Sequence, residues 1–447
     1  MFLKSDAYRA IEREQPSFCD WRGTNILMIV YEWDDVRGGP EALASLRLAA
    51  RLRDAGARIH VLTAVGEQRW QSKWDVTVVP TAPLAPQRLI RAWQMIRTGI
   101  PESECLWVRG AVRAGMGVLS SLPTDTLIYG RAMPGASNII AWHLAKLTGL
   151  PWVAHFSDEW PPVQALSRGR AWLAPYKAPL FQFWRHRILR DAGALTFTNP
   201  RQAATVLGNT GRRYRSKAFV VTHLGSESRV RSRPQQYESF HIVHTGNLNP
   251  PGHTSEPLMR GLRIFLDRTP AAKGTVRLTQ AGWSNGDMPE WTKRYDLDDV
   301  VRMVGRLPQA EVAQLIDDAS LLVGFDYTRS DSATLLSKLP DYVSARRPIL
   351  VITAPGSAMG GLFREDGVGL TAHYDSPTEV AECLSSVFAA WQSRSDSFLA
   401  RNTAVASFSS RCVLAELAAA CTVARRARHA TSEKSRPPAR LGEERSQ

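Results

Sequence analysis

Residues 25–63 read NILMIVYEWDDVRGGPEALASLRLAARLRDAGARIHVLT, and the order of patterns in this stretch decides the architecture. The apolar run at 25–31 reads as a strand that stops at a loop ending in Gly38-Gly39-Pro40 with Glu41. Leu43, Leu46, Ala49, Leu52 and Ala55 then recur at helical spacing until Gly56 halts them. A second strand follows at 58–63. Strand, glycine loop, helix and strand form a βαβ unit, which implies a parallel sheet covered on both faces.

The alternation continues outward from this unit. Strands are expected at 75–79, 126–129, 152–155, 194–198 and 218–221, with helices at 137–147 and 201–207. A polar, aperiodic stretch at 224–237 breaks the pattern. The second half repeats the theme with strands at 240–244, 275–281, 300–304, 321–325 and 349–352. Its helices are expected at 258–266, 309–319, 337–345 and 377–391, followed by an amphipathic helix at 411–425. The expected fold is therefore α/β, with two Rossmann-like, doubly wound parallel sheets facing a central cleft. The expected division is an N-terminal extension (1–24), an N-terminal domain (25–225) and a C-terminal domain (238–395). C-terminal helices (396–424), crossing back to the first domain, and a basic disordered tail (425–447) complete it.

Bulk composition bounds the function. With 44% hydrophobic and 22% charged residues over 447 positions, the chain is ordinary globular protein of two large domains. No run of about 18 apolar residues occurs, and the N-terminus lacks the apolar core of a signal peptide. The five cysteines, Cys19, Cys105, Cys383, Cys412 and Cys421, are scattered and form no CxxC pair. That pattern indicates neither a disulfide framework nor a zinc site, and a reducing cytoplasm is the expected setting. The formal charge of +14 (56 Lys/Arg against 42 Asp/Glu) favours anionic partners. Part of it lies in the tail from Arg425 onward, with seven Lys/Arg, three Asp/Glu and two prolines. No helix-turn-helix, RNP or zinc-finger pattern supports a nucleic-acid partner.

In doubly wound sheets, ligands bind where strands end and helices begin. The Gly38-Gly39 turn lets backbone N–H groups approach a ligand, and the helix behind it attracts phosphate. The Gly246-Asn247-Leu248 turn opens the second half in the same way, before a helix near Ser255-Glu256-Pro257 with N-cap and first-turn chemistry. In SKLPDYVSARRPILVI, Lys338 and Asp341 share a helix face, so the cation can neutralise phosphate and the carboxylate can hold a ribose diol. His155 and Asp158 close the strand VAHF at the expected cleft, where the acid can take a proton from an acceptor hydroxyl and the histidine can hydrogen-bond the sugar at its reacting end. The plainer alternatives are a tight turn, a surface ion pair, a core histidine and a helix cap.

Five segments in order resemble the GT-B glycosyltransferases, particularly those of family 4. They are GGPEALASLRLAARLRDAGARIHVLT, LTGLPWVAHFSDEWP, FHIVHTGNLNPPGHTSEPLMRGLRIFLDRTP, VRMVGRLPQAEVAQLIDDASLLVGF and SKLPDYVSARRPIL, spanning about residues 25–414. The resemblance implies sugar transfer from a nucleotide sugar, with a UDP or GDP carrier, and retention of configuration. It puts Gly38 and Gly39 near the donor diphosphate, Gly246 at the nucleotide, Lys338 on phosphate and Asp341 at the ribose. No cofactor or metal is implied. Three positions depart from the family pattern: Ala333 where many members carry a glutamate, Arg260 as the first basic residue after Gly246, and Arg346 where glycine is usual.

Two stretches, 84–113 and 177–190, mix arginines with aromatics. The first carries Arg88, Arg91, Trp93, Arg97, Trp107, Arg109 and Arg113; the second carries Phe181, Phe183, Trp184, Arg185, Arg187 and Arg190. Such helices suit an anionic membrane surface on the inner face and a lipid-linked acceptor, the alternative being core aromatics beneath a solvated face. The expected setting is polysaccharide, capsule or glycolipid assembly. Competing readings are a nucleotide-sugar 2-epimerase, a silent GT-B partner subunit and a nucleic-acid-binding protein.

Overall fold

The computed structural model describes residues 20–34, 39–66, 73–82, 88–160, 174–225, 239–248, 254–284 and 287–434. The first half is a seven-stranded, all-parallel sheet. Its strands are β1 (Asn25–Ile29), β2 (Arg58–Thr63), β3 (Asp75–Val78), β4 (Leu127–Ala132), β5 (Trp152–Phe156), β6 (Ala194–Phe197) and β7 (Ala218–Val220). Their spatial order is β3-β2-β1-β4-β5-β6-β7. The helices are α1 (Pro40–Asp54), α2 (Arg88–Thr98), α3 (Trp107–Ser121), α4 (Ala136–Thr148), α5 (Ala174–Asp191) and α6 (Pro200–Leu207).

The second half has six parallel strands. They are β8 (Phe240–Thr245), β9 (Val276–Ala281), β10 (Val301–Gly305), β11 (Leu321–Phe325), β12 (Ile349–Thr353) and β13 (Leu370–His373), in the order β10-β9-β8-β11-β12-β13. Its helices are α7 (Glu256–Arg268), α8 (Asp287–Arg294), α9 (Gln309–Asp317), α10 (Leu339–Ser344), α11 (Ala358–Asp366) and α12 (Pro377–Gln392). The two expected doubly wound sheets are thus present. Each reverses its winding beside its first strand, β1/β4 and β8/β11, and such switch points are where ligands bind in this architecture.

Burial explains the apolar runs. Every residue of β1, β4, β5, β11 and β12 is buried, because helices cover both faces and neither side needs polar alternation. Helix α1 starts with proline, whose missing N–H costs nothing in a first turn, and buries Ala42, Leu46, Ala49 and Leu52.

After α12 the chain forms α13 (Asn402–Ser407) and α14 (Ser410–Lys434). Helix α14 returns to the first domain, where Val413, Leu417, Ala420 and Ala424 join the core that holds Ile26, Val61 and Val153. This corrects the tail reading, because the helix runs past Arg425 to Lys434. Alanine and arginine are good helix formers there, and Arg428 donates to the Thr124 carbonyl at 3.0 Å. Residues 435–447 lie outside the described ones. Helices α8 and α11 and strand β13 had no clear signal in sequence. Helix α11 contains Gly360-Gly361 and is held by its Ser357 cap, which accepts from Gly360 N at 3.0 Å. Among the described residues no helix is long and apolar enough to cross a membrane.

Candidate active site

At the carboxyl edge of the second sheet, β8 ends in Gly246 with φ +111°, a conformation that side chains resist. Its N–H donates to the Ala281 carbonyl at 2.6 Å, and its carbonyl accepts from Gln280 Nε2 at 3.1 Å. A Cβ on Gly246 would sit 2.6 Å from Lys338 Nζ, and one on Gly282 would strike the Gly246 backbone. Two glycines therefore let the loops after β8 and β9 cross in contact and leave Lys338 lying over the turn.

Lys338 precedes α10 and is half-buried. Its Nζ is 3.5 Å from His244 Nε2, while His244 Nδ1 sits 2.8 Å from the Val323 carbonyl, which fixes the ring proton on Nδ1. Loss of hydration pushes the ammonium down to about 7. Among the described residues Lys338 has no carboxylate partner.

Asn247 does a different task from the one expected at a diphosphate. Its Oδ1 accepts from Trp283 N at 3.0 Å, tying the two loops together. Beside that tie lies an open pocket of about 470 Å³ lined by Gly282, Trp283, Met303, Gly305 and Arg306. Trp283 presents an exposed ring there, 60% accessible.

The helix ends that sequence offered as anion sites are already occupied by protein carboxylates. Asp287 accepts from Ser255 N at 2.7 Å and from Ser255 Oγ at 2.9 Å, so Ser255 does not cap α7. Gly39 N donates to Glu32 Oε2 at 2.8 Å, and Pro40 has no N–H to offer. Gly38 lies outside the described residues.

Asp341 faces the other domain. Its carboxylate is 2.9 Å from Arg47 Nη1 of α1, and that nitrogen also donates to the Leu224 carbonyl at 3.4 Å. The neighbouring Tyr342 hydroxyl takes the Thr245 N–H at 2.9 Å, so α10 is fastened to the Gly246 turn and to the first domain at once. A second bridge centres on Ala333. Its carbonyl accepts from Asn199 Nδ2 at 2.8 Å and its N–H donates to Glu159 Oε1 at 2.9 Å. Ala333 is fully buried, so the carboxylate nearest its backbone comes from the opposite domain.

On the first domain's edge, Glu41 is the hub. It pairs with buried Arg131 at 2.8 Å and accepts from Ser45 Oγ at 3.1 Å and from Ser157 Oγ. Asp158 is half-buried next to this hub, and its carboxyl is pushed up to about 6 by burial, then by the charges of Glu41 and Glu159. His155 sits beneath them, 1% exposed, with Nδ1 3.0 Å from Thr196 Oγ1. Burial, then Arg131 and His223, holds its ring well below the usual range. His155 is thus a neutral core residue, which corrects its reading as a contact to the reacting sugar. Burial also takes the neighbouring His223 down to about 4.

The structure brings Gly246, Lys338, Asp341 and Asp158 to facing edges of the two domains. Arg47, Arg131, Glu159 and Asn199 were missed. A lone arginine inside the otherwise apolar strand LIYGRA was the available signal for Arg131; the others bear no local mark. Among the described residues no group of three His, Cys, Asp or Glu side chains could hold a metal.

Residues 38–222 match the family model of the glycosyl transferase 4-like domain. Sucrose-phosphate synthase from Thermosynechococcus elongatus superposes with a TM-score of 0.58 at 14% identity, covering 92% of this chain and 100% of that one. The N-terminal domain of trehalose-6-phosphate phosphatase from Candida albicans gives 0.60 at 12%, covering 90% and 97%. WaaG, a glycosyltransferase involved in lipopolysaccharide biosynthesis, gives 0.53 at 12%, covering 91% and 99%. No curated protein matches the sequence significantly. These likenesses and the facing switch points show the fold, two doubly wound domains of the GT-B type. Within that fold, the similarity to the glycosyl transferase 4-like domain lies in the first half of the chain.

Proposed function

We propose that the protein transfers a sugar from a UDP- or GDP-sugar to a hydroxyl of a sugar or lipid-linked acceptor, with retention, in polysaccharide, capsule or glycolipid assembly. The observation that carries this reading is Lys338, a half-buried ammonium without a carboxylate partner among the described residues, held over the Gly246 turn. Desolvating a cation is unfavourable, and a bound diphosphate would offset that cost. The nucleobase would lie in the pocket beside Trp283, and Asp341 would exchange Arg47 for the ribose diol.

In the reaction the bond from the sugar's anomeric carbon to the diphosphate oxygen breaks, and the electron pair stays on the diphosphate, whose charge Lys338 meets. The acceptor oxygen bonds the same carbon and gives up its proton, for which Asp158, as carboxylate, is the receiving group on the acceptor side. Holding both partners in line can supply about 7–11 kcal/mol. The four unpaired cysteines among the described residues go with a cytoplasmic setting.

The test is Lys338→Ala, assayed for nucleoside diphosphate release and glycosylated acceptor. Turnover should fall at least about a hundredfold, near 2.7 kcal/mol. Wild-type turnover would remove the donor site. Isomerised sugar formed from donor alone, without transfer, would turn the assignment to an epimerase.

A further inference from the structure

Helix α2 is exposed in an unusual way. Its Met95 is buried, whereas Leu89, Ile90, Trp93 and Ile96 are 79%, 47%, 55% and 52% accessible. Among the described residues nine large hydrophobic side chains are exposed, and four of them share this one outward face. Isolated exposed apolar residues are normal, but a contiguous set marks an interaction surface.

Charge says what covers it. Helix α2 carries three arginines and no acid. Arg97 stacks on Trp93 at 5.0 Å, an arrangement that keeps its apolar stem on the patch and its charge at the rim. The turn after α2 abuts α5, where Trp184 Nε1 donates to the Gly99 carbonyl at 2.6 Å. Helix α5 adds exposed Phe183, with Arg187 stacked on it at 4.3 Å, and exposed Arg190. Its one acid, Asp191, is already engaged by Lys146 and Arg190. A second copy of the chain fits poorly, since a two-fold interface would set arginines against arginines. Apolar side chains rimmed by arginine match the headgroup layer of an anionic bilayer.

Position adds a consequence. Glu102, just past α2, accepts from Trp160 Nε1 at 2.9 Å and from the N–H groups of Gly135 and Ala136 at the start of α4. Trp160 is two residues from Asp158, so the exposed helix is fastened to the acceptor edge of the site. We propose that α2, with Phe183 of α5, docks the first domain on an anionic phospholipid surface and so presents the acceptor side of the site to membrane-borne acceptors. The docking stands whatever the reaction; only the acceptor clause rests on the glycosyltransferase reading.

The full chain is sedimented with phosphatidylcholine vesicles, with and without phosphatidylglycerol. Half-maximal binding should need at least about tenfold less lipid with the anionic vesicles and should weaken as salt shortens the Debye length from about 10 Å to about 3 Å. Leu89→Asp with Trp93→Asp should lose at least about tenfold in binding while its melting temperature stays near wild type. Should that variant misfold, Arg97→Glu alone must weaken binding. Trp93→Phe should keep pelleting but lose part of the vesicle-induced blue shift in emission. Equal pelleting with neutral vesicles, undiminished binding by the charged variants, or a wild-type dimer that the double variant abolishes would each overturn the proposal. Vesicle binding reads docking alone, so its failure leaves the sugar-transfer assay standing, and the reverse.

Discussion

The two halves of the molecule share a strand order and meet edge to edge, yet their switch points carry opposite chemistry. Beside β1 and β4 stand Glu32, Glu41, Asp158 and Glu159, and the buried cation among them, Arg131, is neutralised by Glu41. Beside β8 and β11 stands Lys338 over a glycine turn of positive φ, with Arg306 in the adjoining pocket. Topology thus determines where a ligand goes, and side chains determine which. A carboxylate edge suits hydroxyl groups that donate hydrogen bonds; a cation over a tight turn suits a pyrophosphate.

The comparison predicts that one substitution has unequal effects in the two loops. Gly246→Ala meets both φ +111° and Lys338 Nζ, so donor turnover should fall about a hundredfold. Gly39→Ala sits at φ −73° with only Glu32 Oε2 near, at 3.6 Å, and should cost less than about threefold. Equal losses would break the contrast.

Acid–base behaviour sharpens it next. Asp158 titrates near 6 and must be ionised to accept a proton, so kcat/KM should rise through about pH 6. Lys338 near 7 must be charged to bind diphosphate, so donor affinity should weaken above that pH. Asp158→Asn should remove the acid limb and leave the alkaline one. Because the folded state raises the Asp158 value, its protonated form stabilises the fold at low pH, and that contribution is lost as pH climbs through about 6. Thermal melting across pH 4–8 of wild type and the asparagine variant reads this separately from catalysis.

A smaller effect is expected at the bridge between the domains. Glu159→Gln weakens a charge-assisted bond to Ala333 N–H and should lower turnover about tenfold, with a more open particle in solution scattering. The smallest effect concerns Arg346, which holds φ +53°, a conformation that favours glycine. Arg346→Gly should raise stability by about 1 kcal/mol by denaturant melting, less whatever its bond to Asn402 contributes.

Much of the frame was legible in the chain. The apolar runs of β1, β8 and β11 and the Ala/Leu periodicity of α1 report local burial, and local burial leaves a periodic trace. Lys338 and Gly246 could be named because a lysine before a helix and a glycine after a strand carry meaning by position. His155 could not be judged, since a histidine ending a strand looks the same whether it faces ligand or core. Arg47 and Glu159 left no trace at all, because their partners lie 294 and 174 residues away.

The sequence alone therefore determined the alternation of strands and helices, the two-domain plan and the glycine turns, all of which follow from patterns within some thirty residues. Only the tertiary structure decided which charges remain open. It gave Glu32 and Asp287 to the helix ends, Arg47 to Asp341 and Glu41 to Arg131, and among the described residues left Lys338 without a carboxylate partner. Electrostatic pairing depends on distance through space, and a chain read in order does not contain that distance.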